Sequence, residues 1–144
     1  MTNSARMHYA TMALVELAKC CESNTLVSAN EISERHGIPG PFLVQILRTL
    51  RDAGWVQSVR GSHGGYRLTA RPEKLTLLDV AEVTGQLPTS SGTAAPEKAE
   101  HVLEQKLHAV WAAADQASRN VLSEITLEDL VEHCQNSDQA MFYI

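Results

Sequence analysis

The residues with the clearest chemical potential lie in one stretch, residues 58–69, which reads SVRGSHGGYRLT. Such a stretch could form a nucleophilic turn around Ser62, a loop that binds a phosphate group, or a loop that contacts a large polyanion. Both enzyme interpretations require a helix directly after the glycines, which would expose the serine or direct backbone amides at the phosphate. The residues that follow Gly65 predict a strand instead. We therefore assign no catalytic residue, and the sequence does not predict an enzyme.

The residues on either side of the glycines predict two β-strands. Residues 56–60 and 66–69 place their side chains alternately on two faces when the chain is extended. Two such runs joined by a glycine-containing loop predict a β-hairpin.

Two short helices are predicted directly before this hairpin. Ser28 and Glu31 have the spacing of a capping box that starts a helix over residues 29–36, and Gly37 suits its end. Pro41 suits the first position of the next helix, which ends before Gly54. The pattern is a helix-turn-helix followed by a hairpin. It predicts a winged helix, a mainly α fold with a small β-hairpin.

The distribution of charge favours double-stranded DNA as the partner. The net charge of the chain is −5, but residues 35–74 contain seven lysines and arginines and two acidic residues, so this segment carries +5 and the remainder −10. A basic segment in an acidic chain indicates where a nucleic acid binds. The hairpin with its loop is the wing of this fold. The predicted DNA-binding residues are Gln45, Arg48 and Thr49 on the second helix and Arg60, Gly61, Gly64, Gly65 and Arg67 in the wing.

The rest of the chain predicts a dimer. We expect a DNA-binding domain over residues 1–85, a linker over 86–96, a dimerisation helix over 97–122, and a short helix with a tail over 123–144. Apolar residues on the long helix recur at spacings of four and three, which is typical of a coiled-coil seam. The alternative is a helix packed on its own domain. The predicted seam residues are Leu103, Leu107, Val110, Ala114, Ala117 and Val121.

Composition excludes several classes of protein. The chain has 144 residues, enough for one domain, with 44% hydrophobic and 20% charged residues, values that are ordinary for a soluble globular protein. It contains no apolar run that could span a bilayer and no secretory signal, so we expect a cytoplasmic protein without a membrane partner. The three cysteines do not form a disulfide framework or a CxxC pair.

Several motifs resemble those of the IscR/NsrR/CymR-type winged-helix transcriptional regulators, many of which carry an iron–sulfur cluster. The resemblance rests on YA at residues 9–10, LA at 17–18, EISERHGIPGPFLVQILRTLRDAGWV at 31–56 and, above all, SVRGSHGGYRL at 58–68. It implies a homodimeric repressor whose long helices pack across a two-fold axis. Such a dimer would bind a pseudo-palindromic operator with its recognition helices about 34 Å apart.

The sensor position departs from this resemblance. Cluster-bearing members have three cysteines in and just after the loop that corresponds to residues 86–106, where this chain has none. We therefore expect no iron–sulfur cluster and no other cofactor. The resemblance leaves a second possibility, a metal shared between His8 of one subunit and His108 of the other, although surface histidines are the commoner case.

Two further alternatives stay open. The winged helix could respond to a protein partner or a small-molecule effector. The chain could also be a redox sensor that uses Cys20 and Cys21.

Overall fold

The computed structural model describes residues 5–85 and 102–141 and has six α-helices and one β-hairpin within those ranges. In chain order the elements are α1 (Ala5–Lys19), α2 (Ala29–His36), α3 (Gly40–Asp52), β1 (Val56–Val59), β2 (Gly65–Leu68), a 3₁₀ turn (Pro72–Lys74), α4 (Leu77–Val83), α5 (Val102–Ser123) and α6 (Leu127–Met141). The predicted mainly α fold with a small hairpin is confirmed. The expected linker over 86–96 lies outside the described residues. No helix in the described ranges is long and apolar enough to cross a membrane.

Local signals in the sequence set the ends of the helix-turn-helix. Ser28 caps α2 by accepting a hydrogen bond from the Glu31 amide at 3.1 Å, and Gly37 ends the helix with a left-handed φ of 64°. Helix α3 begins at Gly40, one residue earlier than Pro41 suggests, and is capped at its end by Ala53. The side chain of Ile32 is fully buried and fixes α2 to the core.

Backbone hydrogen bonds connect the hairpin to the segment between α1 and α2. The sequence did not predict this contact. Strands β1 and β2 are antiparallel, with Val56 opposite Leu68 and Val59 opposite Gly65. On the outer side of β2, Val27 donates to the Tyr66 carbonyl at 3.0 Å and accepts from the Tyr66 amide at 2.8 Å. This isolated bridge attaches the base of the wing to the segment that leads into α2.

Helix α1 lies at the centre of the core. The sequence predicts that one stripe of α1 is buried, formed by Tyr9, Met12, Ala13, Leu17 and Cys20. The structure corrects this prediction, because Tyr9, Met12 and Cys20 are only partly buried and Cys20 lies beyond the helix end. The helix contacts α2, α3, α4, α6 and β2, so it buries a broad surface rather than one stripe. The buried residues of α1 are Met7, Ala10, Ala13, Leu14, Glu16, Leu17 and Ala18.

The C-terminal helix returns to the same core. Leu127 is fully buried, its amide donates to the Leu75 carbonyl at 2.9 Å, and the Leu77 amide donates to the Ile125 carbonyl at 2.9 Å. Thr126 and Asp129 form a reciprocal capping box at the start of α6. Helix α6 has 15 residues, so it is longer than the short helix expected over residues 123–144.

Candidate nucleic-acid interface

Helix α3 is held by its apolar face and presents a polar face to solvent. Leu43, Ile46, Leu47 and Leu50 are at most 1% exposed and fix the helix against the core. Because the helix repeats every 3.6 residues, this anchoring turns Gln45 and Arg48 outward, and both are exposed. Arg48 makes no hydrogen bond or ion pair with any described residue, so its guanidinium is available to a ligand.

The third predicted residue of α3, Thr49, is partly buried and already has partners. Its hydroxyl donates to the Gln45 carbonyl at 3.1 Å and accepts from the Arg6 guanidinium at 2.9 Å. Arg6 lies in the first turn of α1, so the contact places an additional cation beside the outer face of α3. Sequence reasoning missed Arg6, because nothing local relates residues that are 43 positions apart.

Steric constraints within the protein explain why glycine occupies these positions of the wing. A Cβ atom at Gly64 would lie 2.1 Å from the Val59 carbonyl oxygen, and one at Gly65 would lie 2.8 Å from the Val27 carbonyl oxygen. Gly61 has a φ of 121°, which strains any L-residue with a side chain. We expect these glycines to let the wing turn tightly and approach a backbone without clashes, and the close approaches seen here are to the chain's own backbone. DNA contact by the glycines stays a prediction.

The two wing arginines are in different situations. Arg67 donates from Nε and Nη2 to the Gln57 side-chain oxygen at 2.8 and 2.6 Å and reaches the Asn24 side chain at 3.4 Å. It therefore links the strands of the hairpin to the loop after α1. Arg60 is exposed and has no such partner among the described residues. A DNA-binding role is easier for Arg60 than for Arg67, which would have to give up these hydrogen bonds.

A charged cluster fixes the first helix of the motif. The carboxylate of Glu16 is buried, with a side chain only 9% exposed, and accepts from Arg35 at 3.1 Å. Its other oxygen lies 3.2 Å from Nε2 of His36. The cluster ties the end of α2 to the last turn of α1 and thereby holds the turn before α3. Arg35, counted in the basic segment, has a structural partner here.

Helix α5 contacts its own domain through one face of its C-terminal half, and residues 102–114 are exposed on every side. This face contacts α4, where Arg119 reaches Glu82 at 3.4 Å and Leu122 packs on the core. The other face is exposed and carries every predicted seam residue: Leu103, Leu107, Val110, Ala114, Ala117 and Val121. The helix therefore packs on its own domain through residues other than the seam, and the apolar seam is left in solvent.

The candidate metal ligands do not form a cluster in one chain. His8 is exposed beside Tyr9 at the start of α1, and His108 is exposed on α5. The cysteines lie elsewhere, with Cys20 and Cys21 just after α1 and Cys134 on α6. In the described ranges no three or more histidine, cysteine, aspartate or glutamate side chains are grouped to hold a metal ion.

The same fold occurs in solved structures of transcriptional regulators. IscR of T. potens superposes with a TM-score of 0.78 at 31% identity, over 95% of this chain and 90% of that protein. CymR of B. subtilis, described as the global cysteine regulator, superposes with a TM-score of 0.73 at 28% identity, over 92% of this chain and 98% of that protein.

Sequence comparison agrees with the structural comparison. A helix-turn-helix regulator of Mycobacterium tuberculosis is 34% identical over 90% of this chain and 81% of its own length. CymR of Bacillus subtilis is 30% identical over the full length of both chains. The model of the Rrf2 family, described as iron-dependent transcriptional regulators, matches residues 3–133. The predicted resemblance is confirmed, and the chain belongs to the Rrf2 family of transcriptional regulators, which are DNA-binding proteins and not enzymes.

Proposed function

We propose that the protein is a dimeric repressor that binds a pseudo-palindromic operator through α3 and the wing. The observation that carries the proposal is the pair of exposed arginines, Arg48 on α3 and Arg60 in the wing, which have no partner among the described residues. Both lie in the segment of charge +5, within an architecture that places a helix in the major groove.

The residues of the two elements have different roles in this proposal. Gln45 and Arg48 contact base edges or phosphates in the major groove, where an amide or guanidinium can form bidentate pairs with bases. Arg60 enters the adjacent minor groove, whose negative potential attracts guanidinium groups where the groove is narrow. Arg67 supports the hairpin through Gln57, and Thr49 positions Arg6.

DNA binding is tested with duplexes that the wild-type protein selects from a randomised library. Affinity is measured by fluorescence anisotropy between about 50 and 200 mM salt, since neutralisation of phosphates makes affinity fall steeply with salt. Arg60→Ala should weaken binding at fixed salt, whereas Arg71→Ala, which removes an exposed arginine outside α3 and the wing, should not. Equal affinity of Arg60→Ala and the wild type would refute the role of the wing.

The exposed face of α5 supports a homodimer. Val110 is 50% exposed, Leu107 is 42% exposed and the neighbouring Trp111 is 65% exposed, so a row of large apolar side chains meets water in the single chain. Such a row marks an interaction surface. Its regular spacing of four and three is self-complementary, which favours a second copy of the same helix over an unrelated partner.

Dimerisation is tested with two substitutions on the same helix. Val110→Asp places a charge in the seam and should convert the dimer to a monomer, as measured by light scattering on a size-exclusion column. Ala112→Asp introduces the same charge at an exposed position outside the seam and should leave the mass unchanged. If Val110→Asp keeps the mass of a dimer, α5 is not the dimer contact.

A reporter gene tests the sign of regulation. With the selected operator placed across a promoter, expression of the regulator should lower reporter output, because bound protein blocks the promoter. A rise in output would indicate an activator.

We propose that the regulator works without a cysteine-ligated iron–sulfur cluster, although its family is described as iron-dependent. Such clusters are held by thiolates, and residues 86–106 contain no cysteine. Cys20 and Cys21 lie at the end of α1 and Cys134 lies on α6, so this donor set does not fit a cluster at the start of α5. Protein purified without oxygen should be colourless and lack stoichiometric iron and sulfide. A charge-transfer band with bound iron would refute the proposal and direct attention to His8 and His108.

A further inference from the structure

A cleft of about 410 Å³ lies between the C-terminal half of α3 and the wing. Arg51 of α3 lines one side, and Arg60 and Gly61 of the wing line the other, with Ser58 and Tyr66 from the two strands. None of the described residues that line this wing cleft is acidic. Arg51 was not among the residues that the sequence assigned to DNA binding.

The hydrogen-bond donors in the wing cleft make few contacts within the protein. Ser58 and Tyr66 are opposite each other across the strands, and neither hydroxyl has a hydrogen-bond partner among the described residues. Arg51 has one ionic neighbour, Asp52, at 3.9 Å, and their side chains are 49% and 71% exposed. An exposed pair at that distance is weak, so the guanidinium can turn to another anion.

The geometry of duplex DNA indicates which anion reaches the cleft. The major groove, about 12 Å wide, and the minor groove, about 6 Å wide, are separated by one sugar–phosphate strand. If α3 occupies the major groove and the wing occupies the adjacent minor groove, that strand must pass between α3 and the wing. This is the position of the wing cleft.

We propose that the wing cleft holds one phosphodiester of this strand, with Arg51 as the principal cation. The inference rests on the proposed function, because it requires α3 and the wing to contact neighbouring grooves. A phosphate contact fixes the register of a protein on the duplex but carries no sequence information. Arg51 therefore contributes affinity and position, while discrimination between sequences comes from Arg60 in the minor groove and from those contacts of Gln45 and Arg48 that reach base edges.

The first test measures the salt dependence of binding to the selected duplex for the wild type, Arg51→Ala, Arg51→Lys and Arg71→Ala. Loss of one phosphate contact should reduce the slope of log affinity against log salt by about 0.9 for Arg51→Ala. Arg51→Lys should keep most of the slope, because lysine retains the charge. Arg71→Ala should match the wild type, and all variants should keep the wild-type preference for the selected duplex over an unrelated one.

The second test replaces single phosphates of the duplex by neutral methylphosphonate. In each half-site, neutralising one particular phosphate should lower the affinity of the wild type. The same replacement should cause no further loss of affinity in Arg51→Ala, which already lacks the contact. The inference is overturned if the salt slope of Arg51→Ala equals that of the wild type, or if no phosphate position shows this difference. If Arg60→Ala still weakens binding in that case, the proposed function stands without the inference. If the wild type selects no duplex and shows no salt-dependent binding, the proposed function fails and the inference falls with it.

Discussion

Substitution of Gly65 by alanine tests the physical reason for the glycine at the base of the wing. The backbone at Gly65 does not have a left-handed φ, so alanine is allowed there by its own conformation. The obstacle is the neighbouring chain, because the new Cβ would lie 2.8 Å from the carbonyl oxygen of Val27 and 2.9 Å from its carbon. Both are backbone atoms and cannot rotate away, so β2 must move from Val27.

The cost follows from what that movement disturbs. Overpacking by one methyl group costs about 1–3 kcal/mol. The two hydrogen bonds between Val27 and Tyr66, at 3.0 and 2.8 Å, contribute about 0.5–1.5 kcal/mol each and would be lengthened or lost. Because movement relieves part of the overlap, we expect Gly65→Ala to lower the free energy of unfolding by about 2–4 kcal/mol.

Urea denaturation, followed by circular dichroism at a fixed protein concentration, measures this change. Fixed concentration matters because the stability of the proposed dimer would depend on protein concentration. Ser62→Ala is the control, since Ser62 is exposed at the tip of the wing and its side chain makes no hydrogen bond with the described residues. It should leave the free energy of unfolding unchanged to within about 0.5 kcal/mol. If Gly65→Ala unfolds at the same urea concentration as the wild type, the contact with Val27 does not explain the glycine.

Two further predictions use the same denaturation assay. Glu16→Ala removes the charged contact with Arg35 and should lower the free energy of unfolding by about 1–2 kcal/mol. The loss is smaller than for a fully buried charged hydrogen bond, because the Arg35 side chain is 55% exposed and can be solvated. An unchanged midpoint would show that the cluster does not stabilise the helix-turn-helix. Thr126→Ala removes the hydroxyl that accepts from the Asp129 amide at 3.1 Å and should cost about 1 kcal/mol. A loss below about 0.3 kcal/mol would indicate that water replaces this cap without penalty.

Local signals explain which parts of the fold could be predicted from the sequence. Ser28 and Gly37 delimit α2 because a capping hydroxyl and a left-handed glycine act on their immediate neighbours. The hairpin and the outward face of α3 follow from periodicities of two and 3.6 residues. The exposed seam of α5 also follows from periodicity, since its residues share a face whatever the partner.

The features that were missed depend on contacts between distant parts of the chain. Arg6 contacts Thr49, and Val27 pairs with Tyr66, in each case across roughly forty residues of sequence. No local sequence pattern near either partner predicts such a contact. The buried face of α1 was placed incorrectly because five elements surround the helix, so small residues such as Ala10 and a charged residue, Glu16, are buried beside the large apolar ones. The glycine motif was recognised, but its steric reason became visible only when Val27 and Val59 were in place.

The bridge between Val27 and Tyr66 also limits how this regulator can evolve. The base of the wing is attached to the segment before α2, so a side chain at Gly65 would displace that segment, while one at Gly64 would meet the Val59 carbonyl within the hairpin. Ser62 and His63 lie at the exposed tip and make no hydrogen bond or ion pair through their side chains with the described residues. Substitutions or insertions at the tip therefore leave the contacts between the hairpin and the rest of the domain in place, while the base of the wing is kept nearly constant by its packing.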